Sequence, residues 1–315
     1  MILMRTIILW VLGLTFFASC APGERSDIPI ADRPIRIVAT TNIVADLVRT
    51  IGKSETIVES LMGPGVDPHL YKASARDVIR MGNADLVVYN GLHLEGNMGD
   101  VFKAMNERGA PTLAIAEVSI DDSLLIPSEQ FQGNYDPHIW FDATLWAMAA
   151  DKLAEALGQL DSTRAEYFFT NASNYTVELM KLDRYVRERV SEIPSEKLLL
   201  ITSHDAFGYF GKAYDIEVYG LQGLSTVLEV GTRDVQDLAE LVVQRRIPAM
   251  FVESSVSTKG IEAVQEAVRS RGLEVRIGGT LYGDALGGEA TPASSYLGMV
   301  RHNIETIVEG LTNQP

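Results

Sequence analysis

Cysteine occurs once in this chain, at position 20, so no disulfide can form within it and the fold must rest on packing and hydrogen bonding. Local zinc signatures are missing too. There is no H-E-x-x-H and no paired C-x-x-C, so any metal site has to be assembled by the fold from distant segments. Gly278-Gly279 and Gly287-Gly288 fit neither G-x-x-x-x-G-K-S/T nor G-x-G-x-x-G, which excludes a phosphate-cradling loop of those kinds. Lys and Arg number 27 against 42 Asp and Glu, and the net charge of −15 argues against nucleic acid or an anionic membrane surface as partner. Histidine is scarce, with five in the chain, which makes its placement informative.

The N-terminus has the layout of a secretory signal. Arg5 supplies a positive charge, residues 6–17 form an apolar run, and Ala18-Ser19 places small residues before Cys20. The run is shorter than the ~20 apolar residues of a membrane span, so it is expected to be removed rather than retained. Residues 1–20 therefore read as a lipoprotein signal peptide with Cys20 as the lipidated residue, although Phe17 stands where a leucine is usual. Residues 21–33, rich in Pro, Asp and charge, read as a tether.

From residue 34 the chain alternates short apolar runs with amphipathic stretches, the pattern of parallel βαβ units. Strands are expected at 35–39, 57–62, 86–90 and 113–116, with helices at 44–51, 74–83, 98–108 and 141–159. The second half repeats the plan. Strands are expected at 197–202, 217–219, 249–253 and 275–277, and helices at 207–213, 235–245, 260–270 and 295–309. Between the halves, Ala165, Phe168, Ala172, Tyr175, Leu179, Leu182, Val186 and Val190 recur at steps of three and four. Thr163 with Glu166 suggests a capping box at the start and Pro194 a stop. A helix over 164–192 would extend about 44 Å at 1.5 Å per residue and act as a stiff connector. The fold class is thus α/β, with two lobes, 34–160 and 195–315. Each lobe holds a mainly parallel four-stranded sheet flanked by helices, and one long rigid helix in 161–194 joins them.

Three histidines sit in related settings: Asp67-Pro68-His69-Leu70, Asp136-Pro137-His138-Ile139 and Ser203-His204-Asp205-Ala206. A glycine-flanked Asp284 follows. Any one histidine is more often a hydrogen-bonded structural residue than a ligand, but the repeated Asp-Pro-His context favours a four-ligand metal site. Proline stiffens each of those two loops. His69 also falls just beyond a strand, where open sheets bind ligands. His93 and His302 read as a cleft-shaping and a surface residue. Asp205 and Glu289 are acidic alternatives to Asp284, whose glycine-containing loop follows the last strand. Ser203-His204-Asp205 cannot be a hydrolytic relay, because adjacent side chains point apart.

The chain closely resembles the solute-binding lipoproteins of zinc and manganese ABC importers. The resemblance rests on the stretch from Gly63 to Tyr71, on Asn90-Gly91-Leu92-His93-Leu94-Glu95 and Asp136-Pro137-His138-Ile139-Trp140, and on Thr202-Ser203-His204-Asp205-Ala206-Phe207, Tyr219-Gly220-Leu221-Gln222-Gly223 and Leu281-Tyr282-Gly283-Asp284. It implies that His69, His138, His204 and Asp284 ligate one transported divalent ion, Zn²⁺ or Mn²⁺, in a cleft between the lobes. It further implies a monomer, lipid-anchored to the cell envelope, that delivers the ion to a membrane permease with a cytoplasmic ATPase and moves little on release. No enzymatic activity and no nucleic acid partner are expected. Zinc-type members often carry a histidine-rich loop before the second ligand, and residues 119–135 here contain none; manganese-type members often have glutamate where this chain has His204. Three imidazoles and one carboxylate favour Zn²⁺, with Mn²⁺ as the other candidate cargo. Two further readings are a zinc hydrolase with an open His-rich site and a surface adhesin engaged in cell adhesion. Catalytic zinc keeps a coordination position open, whereas four protein ligands close it.

Overall fold

Apolar runs buried on both faces can satisfy their backbone only by pairing with neighbours, and in this chain they pair in parallel. The computed structural model describes residues 28–128 and 134–312. The signal segment 1–20 with Cys20, and residues 21–27 of the tether, lie outside the described residues. In the N-terminal lobe β1 (Ile35–Ala39), β2 (Thr56–Ser60), β3 (Leu86–Tyr89) and β4 (Thr112–Ala114) form one all-parallel sheet in the order β2-β1-β3-β4. The inner strands β1 and β3 are almost wholly buried, while β2 at the edge is half exposed.

The connecting helices start where side chains cap them. Thr41 accepts the Val44 N–H ahead of α1 (Asn42–Gly52), and Ser74 with Asp77 makes a capping box at α2 (Ala75–Gly82). α3 (Gly99–Glu107) follows, and α4 (Ile115–Ser119) begins directly after β4, so residues 115 and 116 are helical rather than part of the expected strand. A two-residue ladder, β5 (Pro127–Ser128) against β6 (Asn134–Tyr135), precedes the second Asp-Pro-His. Asp142 then caps α5 (Ala143–Leu160) through the Thr144 and Leu145 N–H groups.

The long helix is α6 (Ala165–Val190), 26 residues, or about 39 Å. Its buried stripe is the one read from the sequence from Phe168 onward, with Ala165 half buried and Asn171 added, whose amide donates to the Ile51 carbonyl at 2.9 Å. The expected Thr163–Glu166 capping box does not form. Asp161 takes the Thr163 N–H and hydroxyl and the Arg164 Nε instead, which leaves Glu166 exposed. The helix ends at Val190, short of Pro194, because residues 191–193 turn before the ring can interfere.

In the C-terminal lobe β7 (Leu199–His204), α7 (Gly208–Tyr214), β8 (Glu217–Gln222), α8 (Thr232–Arg245), β9 (Ala249–Glu253), α9 (Lys259–Arg269) and β10 (Arg276–Leu281) alternate, and α10 (Tyr296–Thr312) closes the chain. The four strands form two parallel ladders, β7 with β8 and β9 with β10, with β7 lying against β9. A shift of register in the β9–β10 ladder falls at Gly278, between Ile277 and Gly279. The lobes share more than the long helix. One apolar core runs from β1 and α1 through Trp140, Trp146 and α6 to Tyr296 and α10, and smaller cores complete each lobe. Residues 161–194 are therefore one layer of a common interior.

The last residues assigned to the tether are docked. Arg33 forms two hydrogen bonds to Asp85, at 2.5 and 2.8 Å, and the Ile30 and Arg33 carbonyls accept from Arg164. Burial pushes the Asp85 carboxyl up, but the bonds from Arg33 and the Arg36 N–H outweigh it and hold the group below its ordinary value. A carboxylate with a depressed folded value contributes stability above its unfolded value, near 4, and loses it as pH falls through the folded one. Asp85→Asn should accordingly cost about 1–3 kcal/mol in urea unfolding at pH 7. The gap to wild type should shrink below about pH 4; a gap independent of pH would contradict the ionic role.

Candidate metal centre

The repeated Asp-Pro-His tripeptide is a local device. Proline has no N–H, so the first donor after each aspartate that its carboxylate can cap is that of the histidine. Asp67 Oδ1 accepts the His69 N–H at 2.8 Å, and Asp136 Oδ1 accepts the His138 N–H at 2.9 Å. Each turn fixes the backbone of its histidine before any tertiary contact is made. The Asp136 Oδ1 also lies 2.7 Å from His138 Nδ1, which turns the other ring nitrogen away.

His204 ends β7 and is held from the neighbouring strand. Its N–H donates to Glu253 Oε1 at 2.9 Å, and its Nδ1 lies 2.9 Å from Glu253 Oε2. Asp284 follows β10 on a loop pinned at both ends. Asn303 exchanges two hydrogen bonds with the Tyr282 backbone, and Asn42 does the same with Leu286. Between them the Gly283 carbonyl accepts the Trp140 indole N–H at 3.0 Å. A Cβ at Gly283 would sit 2.2 Å from Glu253 Oε2, so only glycine lets this loop pass beside the carboxylate that orients His204.

These supports bring His69, His138, His204 and Asp284 to one point, two residues from each lobe. One ligating atom of each lies within 4.8 Å of the others. Asp284 oxygens stand 3.6, 3.4 and 3.2 Å from the Nε2 atoms of His69, His138 and His204. Ligand atoms about 2.0–2.1 Å from a tetrahedral zinc would be about 3.3–3.4 Å apart, so the donor set fits such an ion. The four residues are at most 3% exposed, and among the described residues the three Nε2 atoms and both Asp284 oxygens have no hydrogen-bond partner. Buried polar atoms without partners cost free energy, which makes this a site built for something outside the chain.

The charges agree. Burial drives the His69 imidazole down to about 3, against the pull of Asp284. Burial opposes charge on His138 as well, yet Asp136 and Asp284 outweigh it and raise that imidazole to about 9. His204 is raised well above its ordinary value because Glu253 and Asp284 overcome its burial. Asp284 is held well below the usual carboxylate range: burial works against its charge, but the His204 and His138 imidazoles outweigh it. The centre is thus a cation trap, with Asp284, Asp136 and Glu253 around three imidazoles.

The alternatives fall elsewhere. Asp205 and His93 line a groove of about 810 Å³ that opens beside His69. Glu289 is exposed, and His302 packs on Tyr282 with its Nε2 3.0 Å from the Thr280 carbonyl. Glu253 was not singled out from the sequence. Its signal is a carboxylate ending the fully buried strand β9, at the edge where such sheets gather ligands.

Fold and site together are those of a two-lobed α/β protein with a centre that could hold a divalent metal ion. The family described as "Zinc-uptake complex component A periplasmic" matches residues 37–310, and the chain belongs to it. It is 44% identical to the zinc-binding protein TroA of Treponema pallidum (strain Nichols) over 281 residues, 89% of this chain and 90% of that protein. It is also 44% identical to the manganese-binding lipoprotein MntA of Bacillus subtilis (strain 168) over 295 residues, 94% and 95% of the two chains. The solved structure of periplasmic zinc-binding TroA superposes with a TM-score of 0.85, covering 89% of this chain and 100% of that one.

Glu253→Gln keeps the shape behind His204 but removes the charge and one acceptor. It should weaken Zn²⁺ binding about 10–100-fold in competition with a chelator, the range for carboxylates that orient a ligating imidazole. An unchanged affinity would show that Glu253 does not orient the ligand.

Proposed function

We propose that His69, His138, His204 and Asp284 hold one divalent ion between the lobes, and that the chain hands this ion to an ABC permease driven by a cytoplasmic ATPase. The observation that carries the reading is the convergence at one point of five buried donor atoms that have no partner among the described residues. The donor set closes a four-coordinate shell, which leaves a hydrolase no position for water. Relatives at equal identity are named for zinc in one case and for manganese in the other, so the donors decide the preference. Three imidazoles favour Zn²⁺, and the affinity order places it above Mn²⁺. Binding and release take place with little lobe movement, because the two halves share α6 and a common core.

The protein works outside the cytoplasm, in keeping with its periplasmic family. It acts as a monomer anchored by lipid on Cys20. The net charge of −15 does not suit nucleic acid as a partner.

The mature chain should bind one Zn²⁺, and adding metal at 100 times the dissociation constant should stabilise it by about 2.7 kcal/mol, an effect that a chelator reverses. His204→Glu replaces nitrogen by a harder oxygen donor, so the ratio of zinc to manganese affinity should fall in competition titrations. A stoichiometry of two or more, or an unchanged ratio, would count against this ligand set.

Anchoring has its own test. Cys20→Ala should move the protein from the membrane to the soluble fraction or leave an unprocessed precursor, since lipidation needs the thiol. Membrane association that survives the change would reject the anchor.

A further inference from the structure

The Asp67 carboxylate serves both lobes. Its Oδ1 caps the His69 N–H at 2.8 Å, and its Oδ2 accepts the Thr226 hydroxyl at 2.6 Å. Asp67 lies between β2 and α2 in the N-terminal lobe, whereas Thr226 lies between β8 and α8 in the C-terminal one. Thr226 is 8% exposed, but the next residues, Val227 and Leu228, are 57% and 79% exposed. This loop therefore turns one polar side chain inward across the cleft while its apolar tip faces out.

The bond differs from two ties at the centre of the molecule. Trp140 to Gly283 and Tyr296 to Trp140 are buried in the shared core. Thr226 instead sits beside the groove of about 810 Å³, which Ser225, Val227 and Leu228 line together with His69. His69 is also the least braced of the four residues. Asp136 backs His138, Glu253 backs His204, and Asn303 and Asn42 bracket the Asp284 loop. Among the described residues no carboxylate besides Asp284 pairs with the His69 ring, and its loop is held by Asp67 and by Asn97, whose amide donates to the His69 carbonyl at 2.8 Å. A ligand fixed through its loop can be released by freeing that loop.

We infer that Thr226 is a positioning residue that latches the His69 loop across the cleft and slows release of the bound ion. The inference rests on the reading of His69 as a ligand. The latch acts without touching the metal: its hydroxyl donates to one Asp67 oxygen and keeps the other turned toward the His69 N–H. Because the Thr226 loop is exposed at its tip, a partner that engages the tip and displaces the loop would open the bond from outside.

The test uses the mature chain loaded with Zn²⁺ and mixed rapidly with an excess of a fluorescent chelator. Thr226→Val keeps the volume and removes the donor, and should speed release about tenfold, the change expected for loss of one hydrogen bond to a charged group. Thr226→Ser retains the hydroxyl and should release at nearly the wild-type rate. The melting temperature of the chelator-treated protein should differ among the three by no more than about 2–4 °C, the shift that one such bond gives and less than a general structural defect would give. Should the valine variant fail to fold, Thr226→Ala carries the same measurement. Release from the valine variant at the wild-type rate, or equally fast release from the serine variant, would overturn the latch. The amplitude for the wild type separates the two hypotheses: one equivalent of Zn²⁺ leaves the proposed function standing whatever the rates show.

Discussion

The structure is organised around the burial of one carboxylate among three imidazoles. Asp284 and the histidines are removed from water almost completely, yet their facing atoms do not satisfy one another. A buried charge of that kind is tolerated only when something fixes its surroundings, and the fold meets this need from three directions. Asx turns set two histidines locally, a carboxylate on a neighbouring strand sets the third, and two asparagines clamp the aspartate loop. The donors then stand at nearly the spacing that a tetrahedral zinc would require.

That precision depends on how the lobes are joined. Two of the four residues come from each lobe, so any rotation between lobes would change every cross-lobe distance in the set. The helix α6 resists such rotation, but a single helix against two rigid bodies could still pivot. The shared core prevents this, because Trp140 donates to the Gly283 carbonyl while its own carbonyl accepts from Tyr296. The tryptophan that follows His138 by two residues thereby grips both sides of the Asp284 loop.

Burial explains why one chemistry dominates the site. Glu253 and Asp136 are as deeply buried as the residues they orient, and each faces a ring nitrogen rather than solvent. Their charges raise the basicity of the imidazoles and, on the proposed reading, would offset the cost of bringing a dication out of water. Gly283 is the steric counterpart of this arrangement, since a side chain there would collide with Glu253.

Much of this was legible in the sequence. The periodicity of residues 168–190, the alternation of apolar strands with helices and the repeated Asp-Pro-His all report local physics: a helical stripe, βαβ units and an Asx turn depend on residues close together in the chain. The expected capping box at the start of α6 does not form because Asp161 competes with Glu166 for Thr163, and two more residues of context reverse which carboxylate wins. The division of the second sheet at β7 and β9, the core that spans both lobes, Glu253 behind His204 and Thr226 on Asp67 were decided by tertiary structure alone. Each joins positions 49 or more residues apart, where no spacing rule applies and only packing brings the groups together.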